Sequence, residues 1–190
     1  MPNDPVLKQL IASAQVLGLQ NDPSLPASDR QILRMADEEK RALSPAEIQQ
    51  ICQSSKVDAQ LIEQLQGKAN HLVQQAREFL VREQPHLVQP GGALFPSERA
   101  EACWRDCWQF FRVIVYAIAC KQDQFTDPEG MGALLALYAH VGVPIEGLNI
   151  ALKRLKVLSE QEVSGAIEAQ LLSDSFMHLL KELNKTAVKY

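Results

Sequence analysis

The segment FPSERAEACWRDCWQFFRVIVYAIAC, Phe95 to Cys120, sets the tightest limit on the fold. Ser97 and Glu98 read as an N-cap and a first-turn acid, and the second half of the run is almost wholly apolar. A helix that is apolar all round is stable only when other elements cover every side. This one is therefore expected at the centre of the molecule. The run RVIVYAI is β-prone by propensity, but it lies inside a capped helical pattern, and the pattern outweighs the propensity.

The remaining segments supply the covering helices. In DPVLKQLIASAQVLG, the Asp4-Pro5 pair is a cap followed by a first-turn proline, Val6, Leu10, Ile11, Ala14 and Leu17 recur at helical spacing, and Gly18 suits the end. QNDPSLPAS is a turn-rich break, after which Ser28 or Asp29 is expected to cap RQILRMADEEKRAL. Ser44, Pro45 and Glu47 form a capping box for SPAEIQQICQSS. From Val57 to Glu83 the positions Leu61, Leu65, Ala69, Leu72, Val73, Ala76, Phe79 and Leu80 hold one apolar face, until Pro85, Pro90 and Gly91-Gly92 stop the helix. DPEGMGALLALYAHVG and PIEGLNIALKRLKVLS are two more helices divided by GVP, and a last one is expected from about Glu160 to Lys185. No fixed-period repeat occurs, so a solenoid is excluded. The reading is all-α, with about eight helices and no strand packed in a globin-like rather than coiled-coil manner. Residues 1–43 read as an N-terminal helical lead-in and residues 44–190 as the globin-like domain.

Composition narrows the function classes. A chain of 190 residues with 46% hydrophobic content suits a single buried core. A net charge of −4, from 19 basic and 23 acidic residues spread along the chain, argues against nucleic acid as a partner. No run of about 18 apolar residues is available to span a bilayer, and MPNDPVLKQL lacks the basic-then-apolar order of a signal peptide. The expectation is a soluble intracellular protein whose cysteines, at 52, 103, 107 and 120, are free thiols.

On a helix, Arg99, Cys103, Asp106 and Cys107 share one stripe, because Cys103 lies four after Arg99, and Asp106 and Cys107 lie three and four after Cys103, while Arg105 points to the side. A thiol anchors an electrophile, a guanidinium matches carboxylates bidentately, and a carboxylate accepts from N–H groups. The set suits a covalently held ligand with acidic tails and N–H-bearing rings. Other readings are weaker. Cys103 and Cys107 form a possible metal pair that no nearby histidine or cysteine completes. His140 is a lone histidine, more in keeping with a structural role than with haem. No base is marked out to activate a cysteine nucleophile, so catalysis is not expected. The charge cluster DEEKR, residues 37–41, reads as a solvated helix face.

The stretch VQPGGALFPSERAEACWRDCWQFFRVIVYAI resembles the chromophore-site segment of the phycobiliproteins, the phycocyanin and allophycocyanin family. There a QPGG turn leads into a helix with an R-x-x-A-C-x-R-D signature, matched here by Arg99, Ala102, Cys103, Arg105 and Asp106. The likeness extends back through HLVQQAREFLVREQPHLVQPGG and forward to YAHVGVP, with Tyr138, Gly142 and Pro144, covering roughly Ser44 to Ser159. The resemblance implies one open-chain tetrapyrrole, a phycocyanobilin-like bilin, in thioether linkage to Cys103. It further implies Arg99 and Arg105 on the bilin propionates and Asp106 on the central pyrrole nitrogens. Tyr138, Trp104, Trp108 and Phe110 are candidate ring walls. Implied partners are other phycobiliprotein subunits or phycobilisome linker proteins, with a bilin lyase for loading. The implied location is the cytoplasm, peripheral to the thylakoid membrane. Three departures stand out: Ala93 replaces the asparagine that β-type subunits carry, the lead-in does not reproduce the family's subunit-pairing helices, and no cysteine follows Cys120. The alternative is a bilin-free homologue acting as a regulatory or scaffolding protein.

Overall fold

In the computed structural model, which describes residues 4–185, the Asp4 carboxylate accepts from the backbone N–H groups of Val6 (2.9 Å) and Leu7 (3.3 Å). The Asp-Pro pair thus opens α1 (Pro5–Ser13) as its sequence predicts. The outer ends of the two expected segments, residues 1–3 and 186–190, lie outside the described residues. Seven more helices follow: α2 (Ala27–Glu38), α3 (Pro45–Ser55), α4 (Ala59–Glu83), α5 (Ser97–Ala119), α6 (Pro128–Val141), α7 (Ile145–Glu160) and α8 (Ala166–Leu183). Among the described residues there is no strand, only one antiparallel bridge between Leu17 and Thr126. The fold is all-α and globin-like.

The apolar half of α5 is the centre of this arrangement. Phe110 to Cys120 are all buried, and α4, α8, α3 and α7 pack around the helix. α4 also packs along α7, and α1 lies on α6. Leu17, Leu19, Leu33, Ala36 and Leu43 belong to the same continuous core as α4, α5 and α8, so the first 43 residues contribute to it directly. Full burial of side chains of this size is worth about 1.5–3 kcal/mol each.

Five local expectations are corrected. α1 ends at Ser13 rather than Gly18, because the next residues run extended beside the start of α6. There the N–H groups of Gly18 and Asp127 donate to the carbonyls of Phe125 (2.7 Å) and Val16 (2.9 Å), an alternative to helical bonding that buries Leu17 completely. Neither Ser28 nor Asp29 caps α2; Pro26 holds that position, and the buried Asp29 carboxylate accepts from Gln50 Nε2 of α3 (3.3 Å). Ser97 is the first residue of α5 and not its cap, since Pro96 precedes it in extended conformation and the Ser97 hydroxyl donates to Glu98 (3.3 Å). α8 starts at Ala166 instead of near Glu160, because the chain turns between α7 and α8. Residues 37–41 are not one solvated face. Glu38, Glu39 and Lys40 are exposed, but Asp37 is buried and accepts from Arg112 Nη2 of α5 (2.6 Å).

The Asp37 contact belongs to a buried network. Arg112 also donates to Tyr116 Oη (2.9 Å) and to Gln109 Oε1 (2.7 Å), and the Tyr116 hydroxyl donates to the Arg41 carbonyl. The chain leaving α2 is thereby tied to the central helix by charge-assisted bonds. Next to it, the capping box of α3 forms as expected: Ser44 and Glu47 exchange side-chain and backbone bonds, and Arg41 grips Glu47 bidentately at 2.7 and 2.8 Å.

Candidate functional site

The site begins with the turn after α4. Gln89-Pro90-Gly91-Gly92 closes with the Gly92 N–H donating to the Gln89 carbonyl (2.8 Å), and Gly91 takes φ +88°, as the third position of a type II turn requires. Gly92 passes so close to the carbonyls of His86 and Leu87 that a Cβ would lie 2.2 Å from the first of them. The turn lays Ala93 and Leu94 beside the first turns of α5. Across from them, α6 ends at Gly142 (φ +71°), and Val143-Pro144 lead into α7.

Between these segments lies a cavity of about 340 Å³, with Leu94, Arg99, Cys103, Asp106, Val143 and Pro144 on its walls. Cys103, 6% exposed, presents its side chain to it. The Asp106 carboxylate accepts the Tyr138 hydroxyl at 2.8 Å and makes no ion pair among the described residues. Burial pushes its pKa above the usual carboxylate value, partly offset by the Tyr138 bond and by the charge of Arg105. Burial, followed by the neighbouring Asp106 charge, holds the Tyr138 phenol protonated.

The structure therefore brings Arg99, Cys103 and Asp106 to one cavity, with Tyr138 behind Asp106. Arg105 stands exposed on the side of α5 and does not line the cavity. Trp104, Trp108, Phe110 and Tyr138 are not on its walls either. Trp104 and Phe110 are buried, and Arg77 lies over the Trp104 ring at 5.6 Å. Arg99 has a contact its sequence position did not signal: its Nη2 donates to the carbonyls of Val141 (3.0 Å) and Gly142 (2.7 Å), binding the open end of α6. The apolar walls at Leu94, Val141 and Val143 were also not singled out, although the QPGG and YAHVGVP stretches flank or contain them.

The other candidates lie elsewhere. His140 is on the surface, its Nε2 paired with Asp4 Oδ2 at 2.9 Å. All four cysteines are free and buried. Burial, reinforced by nearby acidic groups, pushes the Cys52 thiol up to about 11 and the Cys120 thiol up to about 12. Cys107 sits one turn after Cys103, and the neighbouring Cys103 thiol together with burial raises its pKa well above the ordinary value. Among the described residues, no group of three or more His, Cys, Asp or Glu side chains could hold a metal ion. Nor is any helix among them long and apolar enough to cross a membrane.

Fold and site together define a globin-like helical protein that sets a buried thiol and a half-buried carboxylate on one cavity wall. A family model described as phycobilisome protein matches residues 31–183, and the chain belongs to that family. It is 26% identical to an allophycocyanin alpha subunit from Picosynechococcus sp., over 68% of this chain and 83% of the relative. Identity is 30% with allophycocyanin subunit beta-18 from Nostoc sp., over 65% and 75% of the two chains. A solved far-red fluorescent biliprotein, derived from an allophycocyanin F subunit of Chroococcidiopsis thermalis, shares the fold with a TM-score of 0.60 and 20% identity. That match covers 67% of this chain and 96% of the biliprotein.

Proposed function

We propose that this chain is a light-harvesting scaffold of the phycobilisome that holds one open-chain tetrapyrrole through a thioether at Cys103. The observation that carries the reading is the shared wall of Cys103 and Asp106: a thiol at the cavity surface, and one turn away a half-buried carboxylate hydrogen-bonded to a neutral hydroxyl. Such a carboxylate suits a partner with several N–H donors and positive charge, which would offset its desolvation. A bilin supplies the conjugated system that absorbs visible light. Asp106, steadied by Tyr138, would accept from its ring N–H groups, and Arg99 at the rim would meet an acidic tail. Arg105 would reach a tail only where the ligand extends along the exposed side of α5. At about 340 Å³ the cavity is at the small end for ligand sites, in keeping with a ligand that continues onto open surface.

The family is one of phycobilisome proteins and not a catalytic one, so the proposed role is structural and optical rather than enzymatic. Other phycobiliprotein subunits or linker proteins are the proposed partners, with a lyase for loading. A second reading, a bilin-free regulatory or scaffolding protein, is favoured by Arg99, which already spends a terminal nitrogen on α6 carbonyls across the cavity rim.

Co-expression with bilin-synthesis enzymes and a lyase, followed by a denaturing gel and zinc-enhanced fluorescence, separates the two. A fluorescent band that disappears in Cys103→Ala is the expected result. A dark band from folded protein, with a lyase active on a control, moves the assignment to the second reading.

A further inference from the structure

Cys107 has no place in the proposed attachment site, yet it is the side chain behind the attachment thiol. Both cysteines are buried on one face of α5, one turn apart, with exposures of 6% and 1%. Helical geometry sets their Cα atoms about 6 Å apart, inside the range that a disulfide bridges. Their Cβ atoms, at about 5–6 Å in a regular helix, must approach to about 4 Å, so the turn of α5 between them has to tighten or shift. One side of this turn leaves room for it. The cavity of about 340 Å³ has Cys103 and Asp106 on its wall.

We propose that Cys103 and Cys107 form a reversible redox pair, which a small hydroperoxide entering the cavity closes to a disulfide, withdrawing Cys103 from ligand attachment. The Cys103 sulfur attacks one peroxide oxygen, the O–O bond breaks, and the other oxygen leaves as water or an alcohol with the proton from the Cys103 thiol, making Cys103 a sulfenic acid. The Cys107 sulfur then attacks the Cys103 sulfur; the S–O bond breaks, the S–S bond forms, and the hydroxyl departs as water with the Cys107 proton. Two electrons pass from the pair to the peroxide, and an external dithiol returns them by exchange. Access favours this order, since Cys103 lines the cavity and Cys107 does not. The strain of the closed turn makes the bond easy to reduce, as a switch requires. Cys52 and Cys120 are buried elsewhere in the core and take no part.

The statement about attachment rests on the Cys103 reading above; the disulfide itself does not. The test uses the full chain purified without bilin and treated with hydrogen peroxide. Trypsin cuts after Arg99, Arg105 and Arg112, so Cys103 and Cys107 fall in separate peptides, AEACWR and DCWQFFR. The expected product is these two peptides joined, lighter by a pair of hydrogens and released by dithiothreitol, with Cys52 and Cys120 still open to alkylation after unfolding. In Cys107→Ser, Cys103 should advance to sulfenic and sulfinic acids instead. Wild-type Cys103 that stays reduced, advances to the same higher oxides, or joins another cysteine overturns the proposal. Bilin loading before and after peroxide separates the two ideas. A joined peptide with no loading of the reduced chain leaves the redox pair standing and defeats attachment at Cys103, whereas loading at Cys103 without a joined peptide does the reverse.

Discussion

Asp106 is the residue at which stability and the proposed function pull apart. Burial raises its folded pKa above 3.8, so its ionisation opposes folding, and stability is lost as the pH rises from 3.8 through the raised value. An asparagine in its place would still accept the Tyr138 hydroxyl without the partly desolvated charge. Asp106→Asn is therefore expected to leave the bilin-free protein at least as stable at neutral pH, measured by urea unfolding, while shifting the absorption of the loaded protein. A large loss of stability would mean that the carboxylate is mainly a structural group. Cys103→Ala, which removes one buried sulfur, should cost on the order of 1 kcal/mol in the same assay.

At the scale of elements, α3 offers a sharp test because its start is so fully specified. The Arg41 guanidinium, with the Ser44 bonds, lowers the Glu47 carboxyl from 4.5 to about 2. A depressed carboxylate contributes stability that is fully present above pH 4.5 and is lost as the pH falls towards about 2. Glu47→Gln is expected to lower stability at neutral pH and to flatten the stability profile across that window, read by urea unfolding at a series of pH values. An unchanged profile would mean that other carboxylates govern the acid response. Arg41 binds Glu47 with its side chain and the Tyr116 hydroxyl with its carbonyl, so the start of α3 and the centre of α5 are held by one residue.

For the molecule as a whole, the decisive contact is Asp37 with Arg112, whose side chains are 8% and 4% exposed and 75 positions apart in the chain. Arg112→Met leaves a buried carboxylate without its cation, and removing one partner of such a pair costs about 3–5 kcal/mol. Urea unfolding should show that loss, and a change below about 1 kcal/mol would place Asp37 in water. The same contact shows where legibility stops. Helix number, the central position of α5 and the α3 capping box were readable because they rest on periodicity and caps, which act within a few residues. The stripe of Arg99, Cys103 and Asp106 was readable for the same reason, since a single helix displays it. The end of α1 before Gly18, the burial of Asp37 within a run of charges and the grip of Arg99 on α6 were not, because each depends on a partner distant in sequence. By itself the sequence determined which residues share a helix face; tertiary structure decided which face meets a cavity, a charge or an open helix end, because packing alone brings distant backbone and side-chain groups within bonding range.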